Sequence, residues 1–181
     1  GRDANGTQVK FIANSEKAPQ DREWRYARPD GQADDGRSWR SHLTGYNREY
    51  QKTGHNPLGL HPAATLYTAS AYAKLFDAIP AKRLYILSAA WGLVRSDYLL
   101  ANYDVSFSQS QSVPSYSRRG KAGQWKDFNM LDQMAETPVI FIGDLSYLAT
   151  FADLTRHYQG PRIAYTNSQS VSAIDGVELR R

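Results

Sequence analysis

The sequence feature that most limits how this chain can fold is a set of four short, mostly apolar runs. A strand with one face in water alternates apolar and polar residues, whereas a strand buried on both faces carries a nearly continuous apolar run. Three of the four runs are nearly continuous in this sense, so they indicate strands inside a sheet. The four predicted strands are residues 9–13, 83–87, 138–142 and 161–165.

Segments with helical periodicity lie between and around these runs. Apolar residues recur every three to four positions, as on one face of a helix, in residues 62–78, 125–135 and 145–158. Alternating strands and helices are typical of α/β domains with a mainly parallel sheet, and 181 residues suit a single domain. We therefore predict one α/β domain over residues 1–181. Its central, mainly parallel sheet of about four to five strands would be flanked by helices in a Rossmann-like, three-layer arrangement.

A long polar segment, residues 14–61, interrupts this alternation and is predicted to be an insertion. Segments of this length without obvious secondary structure are usually functional or partly disordered. This one contains His42, His55 and His61, and one of these histidines is a candidate acid–base group. The alternative is that all three are surface or hydrogen-bonded loop residues.

The excess positive charge is concentrated in one segment. The sequence has 22 basic and 18 acidic residues, which gives a formal net charge of +4. Residues 109–126, here called the basic loop, contain four basic residues and no acidic residue, so the rest of the chain is neutral. Such a patch, with aromatic rings between its cations, favours a nucleic-acid partner; the alternative is a solvated, flexible loop. The predicted nucleic-acid backbone contacts are Lys17, Arg118, Arg119, Lys121, Trp125 and Lys126.

Polar and small residues follow the predicted strands. Ligands of open α/β sheets bind at the carboxyl ends of the strands. The alternative is that these residues form turns and cap helices. The residues at these positions are Asn14 after the first run, Ser88, Trp91 and Gly92 after the second, Asp144 after the third and Asn167 after the fourth.

Residues that the sequence lacks exclude several kinds of chemistry. Without cysteine there is no disulfide framework, thiolate zinc site or cysteine nucleophile. The four histidines lack the paired spacing of a metal site, and we find no glycine-rich phosphate loop or nucleophile elbow. We therefore predict neither a metal nor a cofactor. We see no signal peptide and no run approaching ~20 apolar residues, so we expect a cytoplasmic protein without membrane association.

The sequence around the second predicted strand resembles a known family. Residues 84–94, followed by Tyr103 and Asp104, are similar to a strand and Leu-Ser-x-x-aromatic-Gly-Leu motif of the YaaA peroxide-stress family. They are closer still to YaaA-like domains of phages and bacterial mobile elements. Residues 62–70 resemble the Pro-Ala-x-x-Leu-Tyr helix start of these proteins.

The first predicted strand and its exit extend the resemblance to YaaA-like proteins. Asn14 and Lys17 resemble their first turn, with a polar residue in place of a cysteine. The similarity covers residues 8–17 and 62–108. It implies an α/β core, DNA binding through a positive cleft and an association with DNA damage or modified bases.

These observations predict a DNA-binding protein that acts on, or recognises, a modified base. The first hypothesis is a DNA glycosylase-like hydrolase of the N-glycosidic bond, which would flip the base into the crevice beyond the strands. A carboxylate there could activate water or stabilise a cationic transition state at a sugar carbon. The alternatives are a non-catalytic DNA-reading domain of a defence or restriction system and an enzyme that processes a nucleotide or nucleoside. The catalytic candidates are Asp104, Asp144 and Asn14, and the base-binding candidates are Tyr67, Ser88, Trp91, Gly92, Tyr103 and Asn167.

Overall fold

The computed structural model of the chain describes residues 6–20, 23–67, 70–120, 125–166 and 173–180. Over these residues the chain forms eleven strands and three α-helices, joined by 3₁₀ turns and loops. The strands are β1 (Gln8–Ile12), β2 (Trp24–Ala27), β3 (His61–Pro62), β4 (Tyr85–Ser88), β5 (Gly92–Arg95), β6 (Leu99–Leu100), β7 (Tyr103–Asp104), β8 (Phe128–Asn129), β9 (Val139–Ile142), β10 (Arg162–Tyr165) and β11 (Glu178–Arg180). The helices are α1 (Trp39–Thr53), α2 (Ser70–Ala78) and α3 (Leu148–Leu154).

Two of the sheets are parallel, and each has three strands in the described residues. The first has the order β2-β1-β7, and the second has the order β11-β10-β9. In the first sheet β1 is the central strand, and its residues Phe11 and Ile12 are almost completely buried. In the second sheet α3 connects β9 to β10, as parallel neighbours require a crossover.

The remaining sheets are antiparallel or mixed. β4 and β5 form a hairpin in which Ser88 pairs with Gly92, and β8 adds to β5 in parallel. Gly92 has a φ of 86°, a left-handed conformation that closes this short hairpin and favours glycine. β3 and β6 form a separate antiparallel pair.

Helix α1 forms because both of its ends are capped and its buried residues lie on one face. The Ser38 hydroxyl caps the start by accepting the backbone N–H of Ser41, and Gly54 ends the helix in the left-handed conformation. Leu43 and Asn47 are the buried residues of its inner face, and the Asn47 side chain bonds the backbone N–H and C=O of Leu99 in β6. Within the described part of the chain, no helix is both long and apolar enough to cross a membrane.

In the described parts of the chain, the buried apolar residues form two clusters. The larger one packs the first parallel sheet, α1 and the β4–β5 hairpin around Trp91, which is 1% exposed. The smaller one lies between the second parallel sheet and α3, around Phe151. The Tyr147 ring packs against both clusters, so it connects the two halves of the molecule.

The predicted Rossmann-like fold is wrong. The four predicted strands all form, but they are divided among three small sheets instead of one central sheet flanked by helices. The cause lies after β4, where the chain turns back at Gly92 and pairs β4 antiparallel to β5. A parallel sheet would have required a crossover there.

Two of the predicted helices also differ from the observed structure. Residues 62–78 split into a 3₁₀ turn at Ala63–Leu66 and the shorter helix α2. Residues 125–135 contain β8 and turns, because the Asn129 and Asp132 side chains accept backbone N–H groups two residues further on. Such bonds compete with helix formation. The segment 14–61, predicted as an insertion, supplies β2 and α1 to the main cluster.

Candidate functional site

A cavity of about 390 Å³ lies between α1 and β1. Four residues of α1 face it because they recur at positions i, i+3, i+4 and i+7, which share one side of a helix. Phe11 of β1 and Trp91 of the hairpin add two more rings. The cavity is therefore bounded mainly by apolar and aromatic side chains. The contributing residues of α1 are Trp39, His42, Leu43 and Tyr46.

The aromatic walls hold one another in place. The Phe11 ring packs edge-on against Trp39, with centroids 5.4 Å apart, and against Trp91, with centroids 5.0 Å apart. Edge-to-face pairs of this kind are the preferred arrangement of aromatic rings. Because Phe11 and Trp91 are almost completely buried, they fix the wall from behind, and the half-buried rings of Trp39 and Tyr46 offer a preformed surface to a flat ligand.

An Asp–His pair lies at the edge of this cavity. The Nε2 atom of His42 lies 3.0 Å from Oδ1 of Asp35, and Arg37 donates from Nε to the second carboxylate oxygen at 2.6 Å. These two hydrogen bonds hold the pKa of the Asp35 carboxyl far below its usual range. Asp35 therefore stays ionised and can orient the imidazole, whose other nitrogen, Nδ1, can then accept a proton.

The neighbouring carboxylate, Asp34, also lines the cavity. It forms an ion pair of 2.5 Å with Arg25 of β2. The polar groups of the cavity thus comprise two carboxylates held by arginines and one histidine. Such an arrangement can accept hydrogen bonds from a ligand and move a proton.

Three of the predicted base-binding residues meet beside this region. The phenol groups of Tyr67 and Tyr103 are hydrogen-bonded to each other. Burial raises the pKa of both phenols, while hydrogen bonding to the Ser88 hydroxyl acts in the opposite direction. Ser88 itself is completely buried and accepts the backbone N–H groups of Ala90 and Trp91. These phenols are protonated at neutral pH and cannot act as nucleophiles there.

Two other predicted base-binding residues, Trp91 and Gly92, have roles in packing. Trp91 is 1% exposed and belongs to the main cluster, so its ring supports the inner wall of the cavity but offers almost no face on which a base could stack. At Gly92 a Cβ atom would lie 2.5 Å from the backbone oxygen of Phe128, so the residue is needed for close packing. Asn167 lies outside the described residues.

The predicted catalytic residues do not form one site. Asp104 pairs with Ile12 at the end of β7, and Asn14 lies just beyond the same end of the neighbouring strand. Asp144 belongs to the other parallel sheet, where it caps a 3₁₀ turn by accepting the Ser146 N–H at 2.8 Å. Hydrogen bonds from the side chain and from the backbone N–H of Ser146 lower the pKa of Asp144. Asp104 and Asp144 therefore lie at strand ends of two different sheets.

Asn14 anchors the basic loop to β1. Its side-chain amide donates to the backbone oxygens of Ser115 and Arg118, at 3.1 and 2.9 Å. The backbone N–H groups of Ala13 and Asn14 both donate to the Tyr116 oxygen. The role of Asn14 in this structure is therefore to hold the loop at the end of the strand.

Arg119, predicted to contact a nucleic-acid backbone, is instead buried. Its guanidinium donates to both oxygens of Asp127, at 3.0 and 2.5 Å, and to the Ala89 oxygen at 2.6 Å. It stacks between the rings of Phe107 and Trp125, at 4.8 and 4.4 Å from their centroids. In this arrangement Arg119 cannot reach a phosphate, and Asp127, directly after the basic loop, balances part of the loop's charge.

The remaining predicted backbone contacts differ in exposure. Lys17 and Lys126 are exposed, while Arg118 is half-buried and donates from Nε to the Val113 oxygen. The half-buried Trp125 ring is covered by Arg28 as well as by Arg119. Lys121 lies outside the described residues.

The predictions named His42 as one of three candidate acid–base histidines but missed its surroundings. The spacing of Trp39, Leu43 and Tyr46 was a readable sign of an amphipathic helix in the polar segment. The pairing of His42 with Asp35 had no comparable signal, because Asp35 precedes the helix in a loop.

Comparison with models of protein families, with curated proteins and with solved structures finds no match to this chain.

Proposed function

We propose that this protein binds DNA and takes one base, displaced from the stack, into the cavity between α1 and β1. The observation that carries the proposal is the cavity itself, with its fixed aromatic walls and its polar groups at one edge. Proteins that read a flipped base enclose it between aromatic or apolar side chains and hydrogen-bond its edge. Asp34, Asp35 and His42 are the groups available for such hydrogen bonds.

Three cations support contact with the phosphate backbone. Lys17 and Lys126 are exposed, and the half-buried Arg118 is held near the end of β1 by Asn14. The resemblance of residues 84–94 to YaaA-like proteins points to the same partner, DNA with damaged or modified bases. A cytoplasmic location is part of this proposal.

The activity that fits the Asp35–His42 pair is hydrolysis of the N-glycosidic bond. His42, oriented by Asp35, would accept a proton from a water molecule whose oxygen then bonds to the sugar carbon. The bond from that carbon to the base nitrogen breaks, and the base leaves with the electron pair and takes up a proton. The net products are the free base and a sugar hydroxyl.

A non-catalytic reader is the second candidate. The observation that favours it is that both carboxylates at the cavity are held by arginines, Asp34 by Arg25 and Asp35 by Arg37. Neither carboxylate is then free to act on a sugar carbon. Such a protein would recognise the base and release it unchanged.

The test uses DNA duplexes that carry a normal base, uracil, a hydroxymethylated base or a glucosylated base. Binding is measured at ~50 mM salt, where phosphate contacts are strong, and alkali-labile abasic sites are measured after incubation. We expect preferential binding of one modified duplex. Abasic sites that disappear in His42→Gln would support hydrolysis, and binding without abasic sites would support the reader.

A substitution that fills the cavity tests where the base lies. Leu58 lines the cavity and is 51% exposed, so Leu58→Trp would block it with little effect on folding. Leu145→Trp, at an exposed position outside the cavity lining, is the matched control. We expect loss of base preference in the first variant alone. The proposal is wrong if no duplex binds, or if the blocked variant keeps the preference.

A further inference from the structure

A second cavity, of about 300 Å³, lies on a different face of the first turns of α1. Most of the residues that line it are polar or charged. Arg40, Lys126 and the hydroxyl groups of Ser38, Ser41 and Thr44 line it, with the Phe128 ring at one side.

The charges around this cavity do not balance. Arg28 is paired with Asp30 through two hydrogen bonds of 3.0 Å, and Arg119 is paired with Asp127 in the same bidentate manner. Arg40 and Lys126 have no carboxylate within ion-pair distance among the residues described. Four cations and two carboxylates leave two positive charges uncompensated.

Arg40 is the more unusual of the two cations, because it is half-buried. Its guanidinium lies 4.2 Å from the centroid of the Phe128 ring, and its Nε is buried without a hydrogen-bond acceptor in the described part of the chain. Loss of hydration on burial lowers the pKa of the guanidinium. An anion in the cavity would supply the missing acceptor and the missing charge.

The hydroxyl groups offer a further donor. The Ser38 and Ser41 hydroxyls lie 2.9 Å apart and share one hydrogen bond, which uses one of their two hydrogens. The other hydrogen remains available to a ligand. The end of the helix is not itself the binding feature, because Ser38 already caps the Ser41 N–H.

One lining residue opposes an anion. Asp30 also lines the cavity, but its carboxylate is 11% exposed and is held by both nitrogens of the Arg28 fork. Arg28 offsets the charge of Asp30, and the remaining interaction of Asp30 with Arg40 is weaker than the loss of hydration that lowers the pKa of Arg40.

We infer that this cavity is a phosphate-binding site, in which Arg40 and Lys126 contact the phosphate oxygens and a serine hydroxyl donates to them. Arginine suits this ligand because its planar fork matches two phosphate oxygens. The site stands on its own local geometry. Its connection to DNA rests on the proposed function, since α1 presents the base cavity on one face and this cavity on another.

The test measures binding of inorganic phosphate and of a deoxynucleoside 5′-monophosphate to the full chain by NMR titration. The variants are Arg40→Gln and Lys126→Gln, and the matched controls are Arg48→Gln and Lys52→Gln, which change exposed cations on α1. We expect the dissociation constant for phosphate to rise about tenfold in each variant and to stay unchanged in the controls. Thermal unfolding confirms that each variant is folded, and Lys126→Gln, at an exposed residue, covers the case in which Arg40→Gln does not fold.

DNA binding by the same variants distinguishes a DNA phosphate from a free phosphate or mononucleotide as the ligand. If the ligand is a DNA phosphate, each variant reduces the slope of log affinity against log salt by about one. If phosphate and the mononucleotide bind but DNA does not, the site is confirmed and the proposed function fails. If neither phosphate nor the mononucleotide shifts the resonances of Arg40 and Ser41, or if the control variants lose as much affinity, the inference is wrong.

Discussion

Arg119 and Asp127 form a buried, bidentate ion pair across the end of the basic loop, with nitrogen–oxygen distances of 3.0 and 2.5 Å. Both side chains are nearly inaccessible, at 0% and 6% exposure. Burial raises the pKa of Asp127, whereas the hydrogen bonds from Arg119 act against this rise. Arg119, which was predicted to lie on a surface loop, is therefore part of the protein interior.

Breaking this pair should cost much of the stability of the fold. We expect Asp127→Asn to lower the free energy of unfolding by about 3–5 kcal/mol, because it leaves the Arg119 charge buried without a partner. Asp153→Asn, which breaks the exposed pair with Arg156, should cost at most about 1 kcal/mol. Urea denaturation measures both losses. Similar small losses in the two variants would contradict the buried pairing.

Replacing glycine by alanine should have opposite effects on stability at two positions. Gly92→Ala should destabilise the protein by about 3 kcal/mol or more, because its φ of 86° is strained for alanine and the Cβ would meet the Phe128 oxygen at 2.5 Å. Gly45→Ala in α1 meets no atom within 4 Å and should stabilise the helix by up to about 1 kcal/mol. Thermal unfolding distinguishes the two, and equal effects would contradict the hairpin geometry.

The Asp35–His42 contact predicts a specific change in titration. In the wild type the pKa of Asp35 lies below its ordinary value of about 3.9, and His42→Gln removes the largest cause. We therefore expect the pKa to rise toward the ordinary value in this variant and to stay low in His55→Gln. NMR titration of the carboxyl carbon measures it; an unchanged pKa in His42→Gln would exclude the contact.

The same contact determines the direction of a pH effect on stability. The pKa of Asp35 is lower in the folded chain than in the unfolded chain, so the ionised form stabilises the fold above the unfolded value. This contribution is lost as the pH falls from the unfolded value toward the folded one. Wild type and His42→Gln should therefore converge in stability at acidic pH, as measured by denaturation at several pH values.

The hydrogen bonds of Asn14 should keep the basic loop ordered. Asn14→Asp keeps the size of the side chain but removes the two N–H bonds to Ser115 and Arg118. We expect faster amide hydrogen exchange in residues 113–119 and a loss of about 1–2 kcal/mol in stability. Unchanged exchange in that segment would show that other contacts hold the loop.

The predictions from sequence were accurate where the signal was local. The runs in β1, β4, β9 and β10 were all identified, because burial of a strand leaves apolar residues next to one another in the chain. Helix α1 was missed because most of its residues are polar or charged and outnumber the narrow apolar stripe of Trp39, Leu43 and Tyr46. The resemblance to YaaA-like proteins stays a prediction, as does the DNA partner.

The candidate site was predicted less well, because its members come from separate segments. Tyr67, Tyr103 and Ser88 do lie together, but as two half-buried phenols hydrogen-bonded to each other beside the buried Ser88. Asp104 lies in the first parallel sheet, whereas Asp144 follows β9 of the second. The cavity between α1 and β1 depends on how the helix packs on the strand, and no short stretch of sequence encodes that.

The sequence by itself determined four of the eleven strands in the described residues, the polar residues that follow those four and the motifs that the chain lacks, since these depend only on residue type and spacing. Only the tertiary structure decided which strands pair, because hydrogen bonding between strands joins residues far apart in the chain. It also decided which charges remain available: the charge of Arg119 is compensated by Asp127 in the interior, while Arg40 has no ion-pair partner among the described residues and lies beside a cavity. Whether a charge is compensated depends on distance and burial, and folding alone establishes both.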